Sequence, residues 1–117
     1  DNTPMVHENT SLKDTLLVIS EKKLGVTLIS DNKKIVGIFT DGDLRRCLNN
    51  GINIDNTKIK EVMTANFKSI ESNALAIDAA AIMESNKILS LVVNSPHKTP
   101  DGASVITMHQ LLEAGII

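Results

Sequence analysis

The apolar positions in the first part of the chain repeat with the period of a helix. Ser11 is a typical helix N-cap and Gly25 a typical helix end, so a helix is predicted between them. The residues on its inner face are Leu12, Leu16 and Ile19. Two runs rich in β-branched residues follow, 26–30 and 35–40, and the polar turn 31–34 between them predicts a hairpin.

A shorter helical pattern follows this hairpin and ends at Gly51. The residues predicted on its buried side are Leu44, Cys47 and Leu48. Residues 52–66 are polar and rich in asparagine, which predicts a linker with a single turn over residues 58–61.

The same order of elements returns after the linker. The pattern predicts a strand over 67–70, a helix capped by Ser72 or Asn73, a hairpin of strands 89–93 and 103–107, and a final helix ending at Gly115. The inner faces of these two helices are predicted to carry Leu75, Ala79, Ile82 and Met83, and then Met108, Leu111 and Leu112.

The two halves align with each other. Asp14 falls on Asp78 at an offset of 64, and the offset becomes 67 after the hairpins because the second turn, 95–101, is three residues longer. A repeat of this size indicates two copies of one supersecondary unit. We predict an α+β fold of two strand-helix-strand-strand-helix repeats, 1–55 and 56–117, with helices packed on small mixed sheets.

Composition narrows the classes of partner. The 117 residues carry a net charge of -2 and no basic block, which disfavours nucleic acid and anionic membranes as partners. No apolar run approaches the ~18 residues of a membrane span, and the lone Cys47 suits a reducing compartment, so we expect a cytoplasmic protein. The chain opens with Asp1 instead of Met, and we expect it to be a piece of a longer protein.

The candidate binding residues lie where each repeat's last strand meets its last helix. Thr40 and Asp43 are placed there in the first repeat, and Asp41 adds a second negative charge. A further anion would be repelled, so this corner should prefer hydroxyl donors such as the diol of a ribose, because a carboxylate accepts hydrogen bonds. The alternative is that both aspartates only cap the helix.

Other polar residues near these corners have two possible roles. Arg45 and Arg46 could clamp a phosphate or carboxylate, or could simply be solvated. In the second repeat Thr107 is followed by Gln110 at the position of Asp43, so we expect the first half-site to bind ribose better. His109 could meet an anionic group or could be an ordinary surface histidine.

Several chemistries are disfavoured. The histidines lack metal-ligand spacing, Asp41 and Asp43 have no nucleophile beside them, and Cys47 lies on an apolar stripe as a buried thiol. The chain has no Trp or Tyr to stack on a base, and Phe39 and Phe67 are predicted to fill the core.

The tandem repeat closed by Thr40-x-x-Asp43 is similar to a cystathionine-β-synthase (CBS) domain pair. Three further strings, at residues 37–46, 62–64 and 108–117, resemble the C-terminal CBS pair of bacterial D-arabinose-5-phosphate isomerases. The resemblance covers essentially the whole chain.

The resemblance implies a ligand and a site. Thr40 and Asp43 would hold the ribose of a nucleotide or nucleotide-sugar such as CMP-Kdo, the activated end product of the pathway that makes the Kdo sugar of lipopolysaccharide. The cleft would also be lined by backbone edges around Met5, Thr27 and residues 66–68. No cofactor would be required, since the ligand is a regulatory effector.

The resemblance also implies partners. The isomerase active site, which interconverts ribulose 5-phosphate and arabinose 5-phosphate, would lie in an upstream sugar-isomerase domain that this chain lacks. We therefore expect no catalytic residues here. CBS pairs associate into homodimers, and the parent would be a tetramer.

Two other binding or structural roles stay open, together with one enzymatic role. The pair could serve only for dimerisation with an empty cleft, which the loss of an acidic residue at Gln110 favours, or it could sense adenylates. A free-standing isomerase is disfavoured, because the chain has no glycine-rich phosphate loop and no convincing base.

Overall fold

Two sheets of three strands each, with helices on their outer faces, make up the computed structural model. It describes residues 3–22 and 25–117, and the side chains of all of these except residues 20–22. The first repeat consists of β1 (Met5–His7), α1 (Leu12–Lys22), β2 (Val26–Ser30), β3 (Ile35–Thr40) and α2 (Asp41–Asn49). The second consists of β4 (Ser69–Glu71), α3 (Ala76–Asn86), β5 (Ser90–Asn94), β6 (Ser104–Thr107) and α4 (Met108–Glu113).

Both sheets have the same mixed topology. In the first, β1 runs parallel to β2 and β2 pairs antiparallel with β3. In the second, β4, β5 and β6 are related in the same way. Met5 lies opposite Leu28, and Ser69 lies opposite Val92, so the registers match at the offset of 64. The predicted α+β fold and its order of elements are confirmed.

The first hairpin is set by its turn. One carboxylate oxygen of Asp31 accepts the backbone N–H groups of Lys33 at 2.9 Å and Lys34 at 3.0 Å. These bonds stabilise the charged carboxylate and lower the pKa of Asp31. The turn returns the chain along β2, so that Thr40 ends up opposite Val26 at the edge of the sheet.

The side chains of β2 alternate between two cores. Ile29 packs with the helices of its own repeat, in a cluster that also holds Leu12, Ile19, Phe39, Cys47 and Ile59. Val26 and Leu28 point to the opposite face and pack with Val92 and Val105 of the second sheet. Because alternate strand residues face opposite sides, one strand joins the two repeats through a shared apolar layer. The second repeat has its own helix-side cluster around Met83, Leu91 and Leu111.

The connecting segment, residues 50–68, packs with the first repeat as far as Thr64. The predicted turn is present as a 3-10 helix, Ile59–Glu61, and the Ile59 side chain is fully buried. Backbone bonds of 2.7 Å run from Leu12 N to Thr57 O and from Ile59 N to Thr10 O. Thr64 then pairs with Ile38. The division of the chain at residues 55 and 56 stays a prediction.

Three leucines predicted to be buried are exposed. Leu48 and Leu112 are 62% and 56% exposed, whereas Cys47 and Leu111, one position earlier on each helix, are buried. A step of one residue turns the side chain by about 100° on a helix, which explains both errors. Leu75 is 66% exposed because it is the N-cap of α3 and lies before its first turn.

Other predicted bounds in the second repeat are also wrong. The helix was expected to be capped by Ser72 or Asn73, but α3 begins at Ala76. Strand β4 begins at Ser69 instead of residue 67, and Phe67 is only partly buried against the layer between the sheets. Phe39 is fully buried, as predicted. Within the described part of the chain, no helix is long and apolar enough to cross a membrane.

Candidate functional site

A cleft of about 960 Å³ opens between the two repeats. The starts of α2 and α4 both face it, because each follows the last strand of its sheet. Its walls are formed by residues 40–42, by residues 64 and 66–68 of the connecting segment, by residues 86 and 88–90, and by residues 107–110. Four sequence-predicted site residues, Thr40, Thr107, His109 and Gln110, are therefore brought together in one cavity.

Thr40 caps α2 through a reciprocal pair of hydrogen bonds. The Asp43 N–H donates to Thr40 Oγ1 at 3.2 Å, and the Thr40 N–H donates to Asp43 Oδ2 at 2.9 Å. This capping box satisfies two backbone donors that a helix start leaves free. It also holds the hydroxyl of Thr40 at the wall of the cleft.

Thr107 and Gln110 form the same box at α4. The Gln110 N–H donates to Thr107 Oγ1 at 3.1 Å, and the Thr107 N–H donates to Gln110 Oε1 at 2.9 Å. The two corners are thus built alike, although an amide replaces the carboxylate. Gln110 is exposed and lines the cleft.

Asp43 is only 3% exposed, and it lies outside the cleft lining. Its Oδ1 accepts hydrogen bonds from the Arg46 guanidinium and, at 3.0 Å, from the Thr64 hydroxyl. Its Oδ2 accepts the N–H of Thr40 and, at 3.2 Å, the Thr40 hydroxyl. The carboxylate is therefore bonded within the protein, as the helix-cap alternative requires.

The charged groups around the cleft have mixed signs. Asp41 and Glu113 are acidic, and Lys68 is basic. His109 Nε2 lies 3.3 Å from Glu113 Oε1, so a protonated His109 would form an ion pair with it. The walls can thus offer both donors and acceptors to a polar ligand.

The other predicted site residues have different surroundings. Arg45 is exposed, and neither it nor Arg46 belongs to the described lining of this cleft. Met5 packs against the apolar layer between the sheets. Thr27 is fully buried, and its hydroxyl has no hydrogen-bond partner among the described residues.

Sequence reasoning missed some of the cleft residues. Leu89 and Met108 line it and make an apolar wall beside the second corner. The alignment of the two repeats was a signal for both, because Leu89 aligns with Gly25 and Met108 with Asp41 of the first corner. Thr64 was noticed only as part of a family string, and no local signal indicated its bond to Asp43.

Cys47 is 6% exposed in the first core, as predicted. Burial raises the pKa of its thiol, and the negative charge of Asp43 acts in the same direction, against Arg46. Among the described residues, no three or more His, Cys, Asp or Glu side chains lie together in a way that could hold a metal ion.

The class of this protein is defined by two capped helix starts that face one cleft between two sheets of the same topology. The model of the CBS domain matches the chain twice, at residues 1–50 and 59–116, so the chain belongs to the CBS-domain family as a tandem pair.

Two relatives of known name resemble the chain over nearly all of its length. The chain is 43% identical over its full length to arabinose 5-phosphate isomerase KdsD of Pseudomonas aeruginosa, and 44% identical over 97% of its length to the protein of that name from Yersinia pestis. It spans only 36% and 34% of these two relatives, about a third of each. The family resemblance stated from the sequence is confirmed.

Solved structures agree on the fold. A signal-transduction protein with CBS domains from Burkholderia ambifaria superposes with a TM-score of 0.85 at 24% identity, over 98% of this chain and 83% of that one. A CBS domain protein from Pyrobaculum aerophilum, solved in complex with AMP, gives 0.79 at 15% identity, over 98% and 92%. A CBS pair in complex with 5′-methylthioadenosine and S-adenosyl-L-methionine gives 0.81 at 19%, over 98% and 93%.

Proposed function

We propose that this chain is the regulatory module of a cytoplasmic arabinose-5-phosphate isomerase, and that its cleft binds a nucleotide or nucleotide-sugar such as CMP-Kdo. The chain would be non-catalytic, and occupancy of the cleft would be passed to a sugar-isomerase domain elsewhere in the same protein. The identity of 43% and 44% to isomerases of this name, over 100% and 97% of this chain, supports the choice of parent.

The observation that carries the proposal is the cleft between the two capped corners. Its volume of about 960 Å³ lies within the range of small-molecule sites, and its walls combine apolar surface with a few polar groups. Two structures with this fold were solved with adenosine ligands. A cavity of this shape on this fold is therefore a reasonable nucleotide site.

Different residues of the cleft lining would contact different groups of the ligand. The hydroxyls of Thr40 and Thr107 can donate to or accept from ligand hydroxyls, and Gln110 offers an exposed amide. His109 and Lys68 can meet an acidic group of the ligand. Asp43 would be the acceptor for a ribose diol. Arg45, Arg46, Met5 and Thr27, which the resemblance also implies as contacts, lie outside the described cleft lining.

An adenylate sensor is the second candidate, because the solved complexes carry adenosine ligands. A purely structural module is the third, favoured by exposed apolar side chains on the helices, such as Leu17 at 64% and Ile77 at 61%. Such faces could hold a homodimer of CBS pairs inside a tetrameric parent.

Thermal unfolding of the chain with CMP-Kdo, CMP, AMP, ATP and arabinose 5-phosphate tests these candidates. A ligand at about 100 times its dissociation constant should add about 2.7 kcal/mol to the free energy of unfolding, a shift of several degrees at this size. His109→Ala and Gln110→Ala should reduce that shift. Asp101→Asn, on the exposed turn far from the lining, is the matched control.

A cytidine response would support the proposal, and a response to adenylates alone would favour the second candidate. If no compound shifts the transition and light scattering finds a dimer, the structural module becomes the better explanation. Turnover of arabinose 5-phosphate by the isolated chain would contradict all three.

A further inference from the structure

The Asp43 carboxylate has no acceptor site left for a ligand. A carboxylate offers about four lone-pair directions. Four donors already use them: the N–H and hydroxyl of Thr40 on Oδ2, and the Arg46 guanidinium and Thr64 hydroxyl on Oδ1. With the side chain buried, a ligand hydroxyl can reach this carboxylate only by replacing one of these donors.

The four donors differ in how easily they can be replaced. The two from Thr40 belong to the helix cap, and their loss would leave a backbone N–H at the start of α2 without its hydrogen bond. Arg46 is largely exposed and lies outside the cleft lining, so a ligand in the cleft does not approach from its side. Thr64 lines the cleft, and its hydroxyl belongs to the connecting segment.

We propose that the Thr64 hydroxyl is an internal competitor for the ligand, and that a ligand diol binds Asp43 by displacing it from Oδ1. This inference rests on the proposed function and assigns its regulation to one exchangeable hydrogen bond. The bond joins α2 to the segment that leads into the second repeat. Ligand binding therefore loosens one tie between α2 and the connecting segment.

The second corner has no equivalent arrangement. Gln110 stands in the place of Asp43 and is exposed, and Glu113 stands at the position of Arg46. A carboxylate only accepts hydrogen bonds, so Glu113 cannot supply the bond that Arg46 donates, and its Oε1 lies 3.3 Å from His109 Nε2. Exchange is thus confined to the first corner, and the second corner can bind a ligand without breaking such a tie.

The test compares ligands with and without the diol on variants of Thr64. Thr64→Val keeps the shape of the side chain and removes the hydroxyl, whereas Thr64→Ser keeps the hydroxyl as the matched control. Calorimetry would measure CMP and AMP against their 2′,3′-dideoxy forms. Urea unfolding of each variant first establishes that it is folded.

We expect Thr64→Val to bind CMP or AMP about tenfold more tightly than wild type, because no protein hydroxyl then competes for Oδ1. The dideoxy forms should bind wild type and Thr64→Val equally, and Thr64→Ser should resemble wild type. Equal changes for both ligand forms, or no change in either, would overturn the inference and leave the proposed function standing. Failure of CMP and AMP to bind any folded variant would overturn this inference, and only failure of CMP-Kdo as well, in the thermal-unfolding panel, would overturn the proposed function.

Discussion

Gly37 on β3 lies directly against Met63 of the connecting segment. A Cβ on Gly37 would come 2.5 Å from Met63 Sδ and 3.1 Å from the Thr64 carbonyl oxygen. The thioether can move aside, but the Thr64 carbonyl is held by the Ile38 N–H at 3.0 Å. Glycine is therefore required here for close approach of two backbones.

Gly37→Ala should lower the free energy of unfolding by about 1–3 kcal/mol, because the added methyl group overpacks this contact. Urea denaturation measures the change. Gly42→Ala is the control, since its Cβ would meet only Thr40 Oγ1 at 3.6 Å and alanine favours the helix. Equal stability of the two variants would contradict the expected crowding.

Thr27 and Thr15 form a matched pair of fully buried threonines. The Thr15 hydroxyl donates to Ser11 O at 2.9 Å, whereas the Thr27 hydroxyl has no partner among the described residues. Thr27→Val should leave the protein equally stable or more stable, by up to about 1 kcal/mol, because it removes a polar group buried without a hydrogen bond. Thr15→Val should cost about 1 kcal/mol. Chemical denaturation of both variants measures their free energies of unfolding. A larger loss for Thr27→Val than for Thr15→Val would contradict this prediction.

The caps of α2 and α4 should differ in strength. Thr40→Ala removes a cap worth about 1 kcal/mol and takes a donor from the buried Asp43 carboxylate, so it should cost more than Thr107→Ala. Serine at each position should restore stability. The comparison uses unfolding free energies, and a larger loss at Thr107 would show that the burial of Asp43 is unimportant.

Cys47 should make stability depend on alkaline pH. Burial raises its pKa in the folded protein, so the folded state keeps the proton while the unfolded thiol begins to ionise near about pH 8.5. The thiol therefore contributes stability below that pH that is lost as the pH rises through the folded pKa. Unfolding free energies of wild type should fall more steeply above about pH 8.5 than those of Cys47→Ala. Parallel curves would argue against the shift.

The repeat, the sheets and the capped corners could be predicted from sequence because each is encoded locally. β-branched runs separated by the Asp31 turn predict the first hairpin, and the aspartates after Thr40 predict a helix start there. The errors at Leu48 and Leu112 came from helix phase, since a shift of one residue moves a side chain to another face. Local pattern does not fix that phase.

The environment of Asp43 could not be predicted, because it depends on tertiary structure. Thr64 is 21 positions away and reaches the carboxylate only after the connecting segment has paired with β3. The sequence alone leaves this carboxylate open to a ligand hydroxyl, whereas in the structure it is hydrogen-bonded to protein groups. The sequence indicates what a carboxylate can bind, whereas tertiary structure decides which of its oxygens are already bonded.

The burial of Ile59 has a consequence for synthesis of the chain on the ribosome. Ile59 is one of the six buried members of the first core, and β3 gains its outer partner at Thr64. When only the strands and helices of the first repeat, up to Asn49, have left the ribosome, the surface that Ile59 covers is still exposed. That half can complete its packing only after the connecting segment, up to Thr64, has left the ribosome.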